Sequence, residues 1–199
     1  MDGIAWAASA MIAARTRLEI ATENLANLST DGYRPVAARG FLNALGVEIA
    51  RRPSGERGAL RETGRDLDFA IVGEGAFRVR DASGRIVSTR AGAFVRAGDG
   101  TLRDPAGRTL IGRAGALRFP EGSSLDRFGR VWDGGRVAGA IPLPPNARVQ
   151  SGFLESAGVD AIGEMVRVLA AERSFESAQK IVAAIDATRQ KSAETGRVK

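Results

Sequence analysis

Proline and glycine are concentrated in the middle of this 199-residue chain. All seven prolines and 19 of the 25 glycines lie between Arg34 and Arg148. Both residues disfavour helix interiors and mark turns, so long helices are expected only at the two ends. The sequence therefore predicts three segments: an N-terminal helix within residues 1–33, a β-rich domain at 34–148, and a C-terminal helix with a polar tail at 149–199.

The N-terminal segment carries an apolar pattern with a period of seven residues. Large apolar residues recur at Ile4, Met11, Leu18 and Leu25, and a row three positions later consists of Ala7, Ala14, Ala21 and Leu28. This stripe predicts a helix that a partner helix can approach closely along the alanine row. The alternative is an ordinary amphipathic helix packed on its own domain, for which a period nearer 3.6 is expected.

The C-terminal segment predicts a second helix. Asp160 can cap it, and Glu164 lies in the first turns, where negative charge is favourable. One apolar face consists of Ile162, Met165, Val166 and Leu169, and a second set, shifted in register, of Val168, Ala171, Phe175, Ala178, Val182 and Ile185. The shift resembles a stutter in a helical repeat. Beyond Arg189, the polar run Gln190–Lys199 predicts a frayed tail.

The middle segment alternates short β-prone stretches with turn signals. The predicted strands are 69–72, 76–79, 85–88, 93–95 and 130–132, and the turns lie at 81–84, 98–100, 104–107 and 133–135. This spacing predicts a compact, mostly antiparallel β domain. The fold class is therefore α+β, with the N- and C-terminal α-helices pairing as a coiled-coil-like layer beside the central β domain.

The chain contains no histidine and no cysteine. This excludes thiol nucleophiles, imidazole general bases, Cys/His zinc sites and disulfides. Gly73 and Gly75 begin like a dinucleotide-binding loop, but Arg78 stands where a third glycine is required. We expect no enzymatic activity, no cofactor, no metal site and no small-molecule substrate.

The uncharged run Gly3–Ala14 is too short to span a bilayer, which needs about 20 apolar residues. It follows Asp2 rather than basic residues, and its stripe continues past Arg15, which argues against a signal peptide. We expect no membrane span and no cleaved signal peptide.

The net charge is +6, and the excess lies in the middle segment, with 20 basic and 12 acidic residues. An arginine-rich nucleic-acid-binding module is therefore the alternative function. Against it, the arginines are scattered among acids, and few aromatic residues lie between them.

The two terminal helices have little reason to be stable alone. Isolated helices are marginal in water, and apolar stripes need partners that cover them. A folded centre with two such helices indicates assembly with other copies. Head-to-tail contacts that do not close generate helical filaments.

Four stretches of the chain resemble the bacterial flagellar basal-body rod and hook protein family. They are Asn24–Arg34, Leu67–Phe77, Thr89–Gly107 and Ser151–Ile181, which follow in order and reach nearly the whole chain. The residues that match the family motifs at the two ends are Asn24, Asn27, Thr30, Gly32, Tyr33, Gly152, Leu154, Glu155 and Met165.

The resemblance implies an axial structural subunit of the flagellar basal body, in the rod that crosses the periplasm. In such proteins the terminal helices form an inner layer and the β domain an outer layer. The implied partners are other copies, other rod proteins and the flagellar type III export apparatus. We predict that contacts between copies use Ile4, Met11, Leu18, Leu25, Leu28, Val168, Phe175, Val182 and Ile185.

The physical roles of Asn24 and Asn27 stay open at this stage. The two residues lie one turn apart at the close of the first helix. Their amides can satisfy terminal carbonyls or reach a neighbouring chain. Gly32 can adopt the left-handed conformation that ends a helix, so the motif is also explained as a simple helix stop.

Overall fold

The computed structural model describes residues 3–43 and 46–196, which fold into two compact units. The helical unit comprises Met1–Leu28, Arg34–Glu56 and Val159–Lys199, and the β unit comprises Ser29–Tyr33 and Arg57–Gly158. These units differ from the three segments expected from composition. Residues 34–56 belong with the helices, and residues 149–158 belong with the β unit.

The helical unit contains the two predicted helices, α1 (Gly3–Ala26) and α2 (Ala161–Gly196). The two helices run antiparallel. At one end of the pair, a Cβ on Gly3 would lie 3.3 Å from Ile185 Cδ1, and near the other end Asn24 bonds Glu164. The predicted pairing of the terminal helices is confirmed.

The expectation of a frayed tail after Arg189 is wrong for the described residues. Helix α2 continues to Gly196, and residues 197–199 lie outside the described range. Gln190, Lys191, Ala193 and Glu194 all have good helix propensity, so a polar composition does not end the helix here.

A β-hairpin that the strand predictions did not include packs on α1. Strands β1 (Val36–Asn43) and β2 (Gly46–Pro53) pair antiparallel, from Val36 opposite Pro53 to Asn43 opposite Gly46. The Val47 amide donates to Ser9 Oγ over 3.3 Å. The hairpin was missed because β1, Val-Ala-Ala-Arg-Gly-Phe-Leu-Asn, lacks the regular apolar alternation of a half-buried strand.

The β unit is built from short strands, as predicted. They are β3 (Leu60–Glu62), β4 (Phe69–Val72), β5 (Phe77–Arg80), β6 (Ile86–Thr89), β7 (Val95–Arg96), β8 (Leu102–Arg103), β9 (Thr109–Gly112), β10 (Gly115–Ala116), β11 (Ser124–Leu125), β12 (Arg130–Asp133), β13 (Arg136–Ala140), β14 (Arg148–Ser151) and β15 (Phe153–Glu155).

All the strand pairs of the β unit are antiparallel among the described residues. A six-stranded sheet has the order β6-β5-β9-β8-β7, with β10 on β9, and a three-stranded sheet has the order β11-β12-β13. Strand β14 pairs with β4, and β15 with β3. The segment before α2 is therefore β structure and not part of the helix. Its apolar residues Val149 and Leu154 are buried in this unit.

Phenylalanines form the centre of the β-unit core. Phe94 lies 5.5 Å from Phe77 edge to face and 6.0 Å from Phe69, and Phe119 lies 6.0 Å from Phe69. Such pairs contribute beyond their buried area. Gly92 has no room for a side chain, since a Cβ there would overlap the Phe69 carbonyl.

Candidate assembly surfaces

The alanine row of α1 is buried against α2 of the same chain. Ala7, Ala14 and Ala21 are 5%, 1% and 1% exposed, and Ala171 and Ala178 of α2 are 2% and 4% exposed. Small side chains on both helices allow a close approach of the backbones. The partner helix that the alanine row predicted is therefore the chain's own second helix.

The residues predicted to contact other copies lie mostly at the edges of this helix pair. Of the nine, Ile4, Met11, Leu18, Leu25, Val168, Phe175, Val182 and Ile185 are half-buried, and Leu28, just beyond α1, is exposed. Much of their surface is thus used inside the chain. Their contacts with other copies remain a prediction.

A different apolar face is left open on α2. Ile162, Met165, Val166 and Leu169 are 76%, 57%, 60% and 56% exposed, and their spacing of three and four residues places them on one side of the helix. Ile12 on α1 is also exposed. Contiguous exposed apolar residues of this kind mark interaction surfaces. Of the motif residues, Met165 belongs to this face.

Asn24 connects α1 to α2 and to the hairpin. It is fully buried; its Nδ2 donates to Glu164 Oε1 (2.8 Å) and to the Val36 carbonyl (2.9 Å), and its Oδ1 accepts from the Val36 amide (2.9 Å). Arg167 also donates to Glu164 Oε1, over 2.6 Å. Within the described structure Glu164 Oε2 is buried without a hydrogen-bond partner.

The two asparagines of the motif therefore have different roles. Asn27 Nδ2 donates to the Glu23 carbonyl over 2.9 Å, which satisfies a terminal acceptor of α1. Asn24 instead fixes a long-range contact within the chain.

The motif residues of the β unit meet around Arg90. Gly32 has a positive φ of 70°, its amide donates to the Glu155 carbonyl over 2.6 Å, and a Cβ on it would overlap the Arg90 carbonyl carbon. The Tyr33 amide donates to Thr30, and the Tyr33 carbonyl accepts from Gly158 over 3.0 Å. The Thr30–Tyr33 turn is thereby fixed against the end of the β unit.

Arg90 and Glu155 form a buried ion pair. Their side chains are 5% and 3% exposed, and Arg90 Nε donates to Glu155 Oε2 over 2.6 Å. The rest of the guanidinium donates to the carbonyls of Ile71, Gly73 and Gly75. Gly73 and Gly75 begin like a nucleotide-binding loop in sequence. Here their carbonyl oxygens accept hydrogen bonds from Arg90.

The remaining motif residues have structural positions. Leu154 is buried in the β unit. Gly152 has a φ of 82°, its amide donates to the Asp68 carbonyl over 2.8 Å, and its own carbonyl accepts from the Thr63 amide over 2.8 Å. Both residues therefore hold the β14–β15 segment in place.

One turn recurs three times in the β unit, with the sequence Asp-x-x-Gly-Arg. The copies are Asp81–Arg85, Asp104–Arg108 and Asp126–Arg130, and each glycine has a φ between 78° and 86°. In every copy the Asp Oδ1 accepts from the Arg amide and the Asp Oδ2 from Arg Nε. A type I turn followed by a left-handed residue has this geometry.

These bonds lower the pKa values of two of the aspartates, Asp81 and Asp126. Ser83 and Arg85 hold the pKa of Asp81 below its usual value. Burial raises the pKa of Asp126, but bonds from the Arg130 amide and guanidinium, Trp132 Nε1 and the Phe128 amide outweigh it and lower the pKa to about 2. Asp126 therefore stays ionised well into acid.

Three of the arginines that contribute to the positive charge of the middle segment belong to these turns. Arg85, Arg108 and Arg130 each pair with the aspartate of their own turn. Their charge is locally compensated, so the excess of the middle segment overstates the free positive surface. The nucleic-acid-binding alternative is not supported.

Within residues 3–43 and 46–196, no three carboxylates lie close enough together to hold a metal ion. Neither α1 nor α2 has an apolar stretch that could cross a bilayer.

Comparison with known proteins gives three family matches in chain order. Residues 4–34 match the flagella basal body rod protein model, residues 70–158 the flagellar hook protein FlgE/F/G D1 domain, and residues 150–195 the flagellar basal body rod FlgEFG protein C-terminal model. Together they include both helices and most of the β unit.

Three individual relatives are similar to this chain. The basal-body rod protein FlgG of Agrobacterium fabrum is 27% identical over 94% of this chain and 96% of its own length. The rod protein FlgF of Mesorhizobium japonicum is 28% identical over 88% and 90%. The hook protein FlgE of Rhizobium meliloti is 36% identical over 52% of this chain and 28% of its own length.

The relatives bear on two finer points. Met1–Ile4, Asn24–Asn27 and Pro120–Gly122 predict a resemblance to FlgF first and FlgG second, and relatives of both names match, at 28% and 27% identity. The alignment with FlgG has 251 positions, more than this whole chain, so that relative carries residues for which this chain has no counterpart.

Proposed function

The chain belongs to the family of flagellar basal-body rod and hook proteins, and on that premise we propose that it is a structural subunit of the basal-body rod. The observation that carries the proposal is the open face of α2, defined as Ile162, Met165, Val166 and Leu169. These apolar residues are exposed on a helix whose opposite side already packs on α1.

The open face is apolar surface that the contact between α1 and α2 does not use, so a neighbouring subunit can bind there. Complete burial of one such side chain contributes roughly 1.5–3 kcal/mol, so a face of four can hold a neighbour while each contact stays weak. The same contact repeated without closure builds a helical filament. A shaft made from many such contacts resists torsion and can transmit torque.

The proposal extends to partners and location. The subunit contacts other copies and other rod proteins, passes through the flagellar type III export apparatus, and works in the rod where it crosses the periplasm. Its role is mechanical, and no reaction is assigned to it. The half-buried residues at the edges of the helix pair, such as Met11 and Phe175, add to the contacts between copies.

Two charge-matched double variants test the proposal. Val166→Glu with Leu169→Glu places two charges on the open face, whereas Ala184→Glu with Ala187→Glu places the same charges at exposed positions farther along α2. Each variant replaces the natural protein in its bacterium. Swimming in soft agar and rods in isolated basal bodies are then scored, with circular dichroism of the purified protein as the folding control.

We expect the Val166/Leu169 variant to fold but to stop rod growth and swimming, because a charged face cannot be buried without a partner charge. The Ala184/Ala187 variant should swim. A folded Val166/Leu169 variant that builds normal rods would exclude the open face as the assembly surface.

A further inference from the structure

Three arginines surround one exposed phenylalanine on the β unit. The guanidinium carbons of Arg127, Arg130 and Arg148 lie 5.0, 5.4 and 5.0 Å from the centre of the Phe128 ring. Phe128 remains 45% exposed. We call these four residues the arginine–phenylalanine patch.

The fold brings the patch together from two parts of the sequence. Arg127 and Phe128 are the two central residues of the third Asp-x-x-Gly-Arg turn, and Arg130 is its last residue. The Val149 amide donates to the Arg127 carbonyl over 3.0 Å, which holds β14, and Arg148 with it, beside the turn. Backbone bonds thus hold the three arginine residues close to the Phe128 ring, over which their guanidinium groups lie.

The patch has more positive charge than the acids bonded to it. In the described part of the chain, Asp126 pairs with Arg130, and no acid pairs with Arg127 or Arg148. Arg148 donates through one nitrogen to the carbonyls of Pro145 and Ala147, which are neutral. Free N–H groups therefore remain on preorganised guanidiniums.

A shallow depression of about 370 Å³ adjoins the ring. It is lined by Arg113, Phe128, Arg130, Val137 and Ala140, and Val137 is 51% exposed. The surface therefore combines cationic groups with an apolar floor. An occupant that fits it has acidic groups next to methylene or methyl groups.

We propose that the arginine–phenylalanine patch binds an acidic segment of another protein. Guanidinium groups match carboxylates with two parallel hydrogen bonds, and the depression accepts the carbon atoms of Asp, Glu and their apolar neighbours. Nucleic acid and glycan fit less well, because they stack bases or sugars on aromatic rings and this ring already packs against three guanidiniums.

The test measures binding of a fluorescein-labelled oligoglutamate peptide to the full chain by anisotropy, in about 150 mM salt so that long-range attraction is screened. The patch variant is Arg127→Ala with Arg148→Ala. The matched control is Arg78→Ala with Arg80→Ala, which removes the same charge from exposed positions on β5. Circular dichroism confirms that each variant is folded.

We expect the patch variant to bind the peptide roughly tenfold more weakly and the control to stay within about twofold, since bonds between charged groups are the strong ones. Phe128→Ala, which keeps every charge, should also weaken binding by loss of the ordered arginines. Equal losses in the patch and control variants would mean that only net charge matters, and would overturn the proposal.

A single-stranded oligonucleotide of the same charge is the second probe. If it binds more tightly than the peptide and loses binding in the patch variant alone, the patch is a nucleic-acid site and the proposal is wrong. Weaker binding of the oligonucleotide than of the peptide supports it.

Discussion

The Nδ2 atom of Asn24 donates a 2.8 Å hydrogen bond to Oε1 of Glu164, across 140 positions of the sequence. Both side chains are buried, at 0% and 2% exposure. With the bonds from Asn24 to Val36, this contact ties together α1, α2 and the hairpin. The motif asparagine thus joins the three parts of the helical unit at one buried point.

Asn24→Ala should destabilise the helical unit by roughly 2–4 kcal/mol. It removes the hydrogen bonds from Asn24 to Glu164 Oε1 and to the Val36 amide and carbonyl, and leaves these groups with fewer partners. Urea unfolding followed by the helical circular dichroism signal measures the change. Thr22→Ala, an exposed position one turn before the end of α1, is the control and should shift stability by about 0.5 kcal/mol or less. Equal effects would contradict the structural role of Asn24.

Gly32→Ala should be much more damaging than Gly84→Ala. Both glycines have positive φ, at 70° and 86°, so both substitutions carry similar backbone strain. A Cβ at Gly32 also overlaps the backbone of Arg90, while Gly84 faces open space. We expect a cost of roughly 1–2 kcal/mol for Gly84→Ala and several kcal/mol for Gly32→Ala. Thermal unfolding of the two variants side by side decides the point.

Substitution of Arg90 alone should lower the free energy of unfolding more than substitution of both Arg90 and Glu155. Arg90→Met leaves a buried carboxylate without its cation, for which a loss of roughly 3–5 kcal/mol is typical. The double variant Arg90→Met, Glu155→Met removes both charges and should recover part of that loss. A double-mutant cycle in urea measures the coupling. Additive losses would show that the pair is not coupled.

The β unit should lose stability in acid, between about pH 4 and pH 2. The pKa of folded Asp126 is lowered from 3.8 to about 2, so its contribution is fully present above the unfolded value and is lost as the pH falls through the folded one. Asp126→Asn should make stability less dependent on pH in this window. Asp133→Asn, at an exposed position on β12, is the control. A pH profile of unfolding that Asp126→Asn leaves unchanged would contradict this assignment.

The local features of the fold could be predicted from the sequence. The heptad row of Ala7, Ala14 and Ala21 predicted α1, and the turn signals at 81–84 and 104–107 predicted the first two Asp-x-x-Gly-Arg turns, whereas the third, at 126–130, was not among the predicted turns. These signals act over a few residues, where propensity and turn chemistry dominate.

The pairing of the two terminal helices was predicted, but the details of long-range packing could not be predicted in the same way. The apolar stripes do not state which of their residues the pairing will bury. Similarly, Val168 and Leu169 are neighbours of similar hydrophobicity, yet one is half-buried and the other is 56% exposed. The Asn24–Glu164 bond and the hairpin on α1 depend on tertiary contacts for the same reason.

The three Asp-x-x-Gly-Arg turns share their aspartate, glycine and arginine but differ in the two central residues. The bonds common to all three copies join the aspartate to the arginine, so the side chains of the two central residues can differ: Ala-Ser in the first copy, Pro-Ala in the second and Arg-Phe in the third. Two substitutions can therefore give the tip a new recognition chemistry without altering the scaffold beneath it. The β unit is in that sense a platform on which surface specificity can evolve independently of folding.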